Sequence, residues 1–216
     1  MFDLYVVTDS ALSKGRTDAE VARLAYEGGA DAVQLRMKDA SDEEMLKAAK
    51  EIKAISDEYR RFFFVNDNVK VAKESGADGV HLGQDDMPVR EAREILGDTA
   101  IIGVSVDNVE EAIKAVEDGA DYLGVGSIFR TTTKPDAKQS LGLGPITEIR
   151  QTVDVPIVAI GGINRGNIQD VIRAGADAAV VVSAVVAQDD LKSAAHELRD
   201  LILKVRPHVR EEDLNR

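Results

Sequence analysis

Gly175-Ala176-Asp177-Ala178-Ala179-Val180-Val181-Val182 decides the fold, because its first three residues occur three more times along the chain. Gly29-Ala30-Asp31 precedes Ala32-Val33-Gln34-Leu35, Gly76-Ala77-Asp78 precedes Gly79-Val80-His81-Leu82, and Gly119-Ala120-Asp121 precedes Tyr122-Leu123-Gly124-Val125. A glycine that ends a helix just before a buried apolar run is the αβ turn of a parallel α/β protein. Another apolar run falls before each of these turns: Leu4 to Val7, Phe62 to Val65, Ala100 to Val104 and Ile157 to Ile160. Eight strands alternating with helices predict a (β/α)8 TIM barrel, one domain over residues 1–206 with a charged tail at 207–216. A doubly wound open sheet shares the local pattern. The recurrence of the turn at every second strand favours the closed form.

The helices carry the same message. Ser41 with Glu44 three residues on forms a capping box, and Met45, Ala48, Ala49, Ile52, Ile55 and Tyr59 then lie on one stripe. Further helices are predicted over Asp18 to Glu27, around Val69 to Ala72, after Pro88, around Val109 to Val116 and around Ile168 to Ile172. A last helix opens at Ser183 and carries Leu191, Leu198 and Ile202. Residues 126–144 form one long irregular segment rich in Thr, Lys and Gly, a length characteristic of functional lids or disordered loops.

Composition narrows the function. With 27 basic and 39 acidic residues the formal charge is −12, which argues against a general nucleic-acid or anionic-membrane surface. The absence of cysteine rules out disulfides, thiolate metal sites and cysteine nucleophiles. The N-terminus has no basic region ahead of an apolar stretch, and the longest apolar stretch, around Ala176 to Ala187, is too short to span a bilayer. A cytoplasmic protein is the expectation.

In a barrel of this kind the chemistry sits at the C-terminal ends of the strands. After strand 2, Gln34, Arg36 and Lys38 alternate with Leu35 and Met37, so the three project together toward the barrel mouth. Two cations on one inward face ask for an anion; pairing with acids such as Asp39 is the alternative. Asn66-Asp67 and Gln84-Asp85-Asp86 follow strands 3 and 4, and oxygen ligands on adjacent strand ends suit Mg²⁺. Helix capping would also explain Asp67 and Asp86.

Arg130-Thr131-Thr132-Thr133-Lys134 puts hydroxyls and cations on the long loop, a composition suited to closing over phosphate and also common in plain loops. Gly161-Gly162-Ile163-Asn164 opens the helix after strand 7 and Ser183 opens the one after strand 8, where many barrels bind a phosphate monoester. His81 lies within strand 4, where it either points inward or, the preferred reading, is a packed core histidine.

Together the segments LYVVTD (Leu4 to Asp9), VQLRMK (Val33 to Lys38), VND (Val65 to Asp67), GVHLGQDD (Gly79 to Asp86), Gly103 to Ser105, Thr131 to Lys134 and IGGI (Ile160 to Ile163) resemble the thiamine-phosphate synthase family, in order and spacing along nearly the whole chain. That family joins 4-amino-5-hydroxymethyl-2-methylpyrimidine diphosphate to 4-methyl-5-(2-phosphoethyl)thiazole and releases diphosphate. The resemblance implies that Arg36, Lys38, Asn66 and Lys134 hold the diphosphate and that Asp67 and Asp86 hold one Mg²⁺ ion. It implies that Gln34 and Ser105 orient the pyrimidine, and that Thr131, Thr133, Gly162, Val182 and Ser183 receive the thiazole phosphate. Lys38, Ser105 and Lys134 would be the catalytic set.

The chain departs from the family pattern at Val106-Asp107, where members commonly have His, and near Ser127 and Arg130, where they often have Pro. Two other readings stay open. A thiazole tautomerase would need an acid–base residue near the ends of strands 5 or 6. A non-catalytic regulator that binds thiazole phosphate could keep Gly162 and Ser183 without metal ligands.

Overall fold

The computed structural model of the chain describes residues 2–131 and 140–206. Eight parallel strands close a barrel in sequence order: β1 (Leu4–Val7), β2 (Ala32–Leu35), β3 (Phe62–Asn66), β4 (Gly79–Leu82), β5 (Ile101–Val106), β6 (Tyr122–Val125), β7 (Ile157–Ile160) and β8 (Ala178–Val181). Closure runs through β1 and β8, with Tyr5 opposite Val180. The connecting helices are α1 (Asp18–Glu27), α2 (Asp42–Tyr59), α3 (Val69–Ser75), α4 (Val89–Leu96), α5 (Val109–Glu117), α6 (Gly144–Arg150), α7 (Ile168–Arg173), α8 (Ser183–Val186) and α9 (Leu191–Leu203). No helix among the described residues is long and apolar enough to cross a membrane.

The period-2 alternation of each strand sorts side chains into two cores. Leu4, Val6, Val33, Leu35, Phe63, Val65, Val80 and Leu82 point outward and pack with the helices. Tyr5, Val7, Ala32, Phe64, Tyr122, Val158, Ala178 and Val180 point inward and fill the lumen. Phe2 closes the bottom, its ring edge-on to Tyr5, Phe62, Phe64 and Tyr122 at centroid distances of 5.0–6.2 Å. The lumen is packed below and open above.

The repeated turns behave as their sequence implies. Gly29, Gly76, Gly119 and Gly175 all take positive φ, from 71° to 110°, where a side chain would be strained. Each following aspartate then accepts the first free backbone N–H of the preceding odd strand. Asp31 takes Asp3 and Leu4, Asp78 takes Phe63, Asp121 takes Ile102 and Asp177 takes Ile157, at 2.7–3.2 Å. Each aspartate also holds a cation, respectively Arg61, Lys53, Arg93 and Arg150, at 2.6–3.2 Å. Four clamps of one design therefore lock the N-terminal rim with charge-assisted hydrogen bonds.

Three local features differ from expectation. The Gly161-Gly162 turn does not open a helix: α7 begins at Ile168, because the side chains of Asn164 and Asn167 both donate to the carbonyl of Gly162 and hold a loop. The last helix is two helices. Arg16 binds the carbonyls of Gln188 and Asp189, and Asp190 restarts the helix by accepting the N–H of Ser193. A seven-residue helix, α6, begins at Gly144, the last residue of the stretch expected to be irregular, with Pro in its first turn, where a missing N–H costs nothing. The charged tail, 207–216, lies outside the described residues.

Candidate active site

One cavity of about 450 Å³ opens at the C-terminal ends of the strands. Gln34, Arg36 and Lys38 all line it, as strand parity requires of residues two apart. The Arg36 guanidinium lies 3.9 Å from Asp9, and its backbone N–H donates to the Thr8 hydroxyl at the end of β1. Lys38 is exposed at the rim.

Asn66, Asp67 and Asp86 line the same wall. Asp67 has φ 60°, a left-handed conformation that aspartate tolerates better than most residues. Its N–H bonds the carbonyl of His81 at 2.9 Å, and its carboxylate accepts from Asn66 at 2.6 Å. Asp86 accepts the N–H of Gly83 at 2.7 Å. Burial, and then the hydrogen bond and charge of Asp86, push the Asp67 carboxyl up to about 6, against the opposing charge of Lys38. Two carboxyls within reach of each other and a lysine therefore share one wall of the cavity.

Across the mouth, Gly161, Gly162, Val182 and Ser183 line the opposite wall. A Cβ at Gly162 would lie 2.6 Å from the carbonyl of Arg130 and 2.8 Å from Cβ of Phe129, so this turn packs directly on the segment after β6. Thr131 also lines the cavity, whereas Arg130 is exposed and does not. Thr133 and Lys134 lie outside the described residues. Asp107, at the departure from the family pattern, is on the cavity wall, while Val106 faces the outer core.

The floor holds residues that the sequence did not mark as functional. His81 is not packed in the outer core. It points into the barrel, bonding Tyr122 Oη through Nδ1 and Ser105 Oγ through Nε2, each at 2.9 Å. Tyr122 Oη lies 3.3 Å from Tyr5 Oη, which accepts from Gln34 Nε2 at 2.8 Å. Burial pushes both tyrosine hydroxyls well above their ordinary range, so they remain protonated. The parity of Tyr5 with Val7, and of His81 with Gly79, was the available signal. Ser105 lies inside β5, two residues beyond Gly103, which gives it the same inward parity.

A closed (β/α)8 barrel with cations, a carboxylate pair and glycine turns gathered at one mouth defines a small barrel enzyme. The model of the family described as thiamine monophosphate synthase matches residues 4–185. A thiamine-phosphate synthase of Chloroflexus aurantiacus is 54% identical over 199 residues, covering 92% of each chain. One from Methanoregula boonei is 49% identical and covers 97% of each. The solved structure of a thiamine phosphate pyrophosphorylase from Pyrococcus furiosus superposes with a TM-score of 0.87 at 44% identity, over 94% of this chain and 96% of that one. The chain belongs to the thiamine monophosphate synthase family and is a transferase.

Proposed function

We propose that the chain joins a 4-amino-5-hydroxymethylpyrimidine diphosphate to a thiazole phosphate, forming thiamine phosphate and diphosphate. The observation that carries this reading is the gathering of two opposed anion-suited walls in one cavity, Arg36 and Lys38 beside Asp67 and Asp86, facing Gly162 and Ser183. The C–O bond of the pyrimidinylmethyl diphosphate breaks with its electron pair leaving on diphosphate. The electron-rich ring steadies the cation, and the thiazole nitrogen lone pair closes the new C–N bond. No proton has to move, so the protein needs no nucleophile or base, only charge and position. Arg36, Lys38, Asn66 and Lys134 take the leaving diphosphate. Gln34 and Ser105 orient the pyrimidine, and Thr131, Thr133, Gly162, Val182 and Ser183 receive the thiazole phosphate.

Asp67 and Asp86 suit Mg²⁺, which is commonly held by one or two carboxylates with phosphate oxygens completing its shell. Burial, and after it the neighbouring Asp86, raises the Asp67 carboxyl, and a divalent ion would relieve the part that comes from Asp86. Bound there, the ion would neutralise charge on the departing diphosphate. A tautomerase would leave this carboxylate pair without a task.

The test is a coupling assay with both substrates, following thiamine phosphate and released diphosphate. Product should vanish with EDTA and return with Mg²⁺. Binding of thiazole phosphate without product would overturn the synthase reading.

A further inference from the structure

We propose that Asp9 is a fixed counter-charge that limits how tightly Arg36 holds diphosphate, so that the leaving group, once freed, departs from the cavity. The proposal rests on the reading of function given above, which puts diphosphate on Arg36 and gives Asp9 no task.

Asp9 and Arg36 meet on the cavity wall, just past the ends of the paired strands β1 and β2. Both side chains are largely buried, Asp9 13% and Arg36 22% exposed. Their charged atoms lie 3.9 Å apart, yet among the described residues the guanidinium makes no hydrogen bond. At the opposite rim the clamp arginines Arg61, Arg93 and Arg150 close on their carboxylates at 2.6–3.0 Å. The Arg36 pair stops short of that contact.

The carboxylate is tethered. One Asp9 oxygen accepts the N–H of Leu12 at 3.1 Å, which ties it to its own loop, and the other is the one nearest Arg36. The Arg36 N–H donates to the hydroxyl of Thr8, itself fully buried, at 3.3 Å. The aspartate thus supplies charge without taking a donor, and the N–H groups of the guanidinium remain for an anion. Left without an opposing charge, such a guanidinium would hold a multiply charged anion tightly. Tight binding of a product slows its release, and binding that is equal before and after the bond breaks adds nothing to the chemical step. A carboxylate beside the guanidinium repels the same anion at short range and trims that hold. Asp9 is therefore a positioning residue for charge, acting on substrate and product through Arg36.

The experiment titrates inorganic diphosphate, with Mg²⁺ present, into the full chain by calorimetry and follows its inhibition of coupling. Asp9→Asn keeps an oxygen for the Leu12 N–H and removes only the charge. It should bind diphosphate about tenfold more tightly, the low end of what one charge within about 6 Å does to a neighbouring ionised group. Diphosphate should then inhibit coupling at a correspondingly lower concentration. Asp9→Ser also offers Leu12 an oxygen; it should behave alike, and it serves if the Asn variant does not fold. Asp170→Asn removes an exposed charge from α7 and should leave the affinity unchanged. A purely structural Asp9 predicts weaker or unchanged binding in a folded variant, and either result would overturn the proposal. Equal tightening in Asp170→Asn would overturn it too, as an effect of net charge. If the wild-type chain binds diphosphate but makes no coupled product, the reading of function falls and the counter-charge is judged on affinity alone. If the wild-type chain does not bind diphosphate, both fall.

Discussion

Asp86 ties one carboxylate oxygen to the N–H of Gly83 and at the same time crowds Asp67, so its charge is held at a fixed place on the cavity wall. Lys38 stands at the rim of the same wall. Groups preorganised where charge develops contribute more to rate than to binding. Asp86→Ala or Lys38→Ala should therefore lower turnover by on the order of 10²-fold or more, as for loss of one preorganised charge-stabilising group. Single-turnover kinetics with the pyrimidine diphosphate checks this, and near-wild-type turnover would remove that residue from the mechanism. The polar tips at strand ends were legible in the sequence because strand parity places Gln34, Arg36 and Lys38 on one face without any knowledge of the rest. His81 and Tyr122 were not. Parity turns them inward, but their contact with each other depends on which strands face across the lumen, information that no local pattern carries.

At the level of elements, α2 shows how closely local chemistry sets a boundary. Ser41 accepts the N–H of Glu44, and the Glu44 carboxylate returns to the Ser41 N–H, so two orphan donors are satisfied together. Ser41→Ala should cost about 1 kcal/mol of stability, the usual value for a lost N-cap. Urea denaturation would measure it, with turnover unchanged because the cap does not line the cavity. The same box at Thr17 and Glu20 opens α1. The sequence misplaces boundaries where side chains compete with the helix for backbone groups. Asn164 and Asn167 hold the Gly162 turn as a loop, and Asp190 divides α8 from α9. Apolar periodicity carries no signal of such competition.

Across the whole molecule the two ends of the barrel have separate duties, with the clamps at one rim and the cavity at the other. Asp177→Ala strips an acceptor from both the Ile157 N–H and the Arg150 guanidinium. It should cost about 2–3 kcal/mol, the scale of leaving partly buried donors unpaired. Asp170→Ala removes only an exposed pair with Arg173 and should cost less than about 1 kcal/mol. Denaturation midpoints of the two variants check the difference, and kcat should be unchanged in both. The barrel as a whole was legible because Gly-Ala-Asp recurs at a fixed place in every second turn. The purpose of its third residue was not, since the N–H it accepts lies 15 to 28 residues away in sequence.

Each of those backbone bonds joins an odd strand to the even strand that follows it: β1 to β2, β3 to β4, β5 to β6, β7 to β8. A strand–helix–strand segment is thus a self-fastening module. Copied in tandem, it would bring its own latch with every copy, and drift in the sequence of one quarter would leave the fastening of the other three in place. The recurring tripeptide is what such modular inheritance would preserve while the loops at the opposite rim diverged.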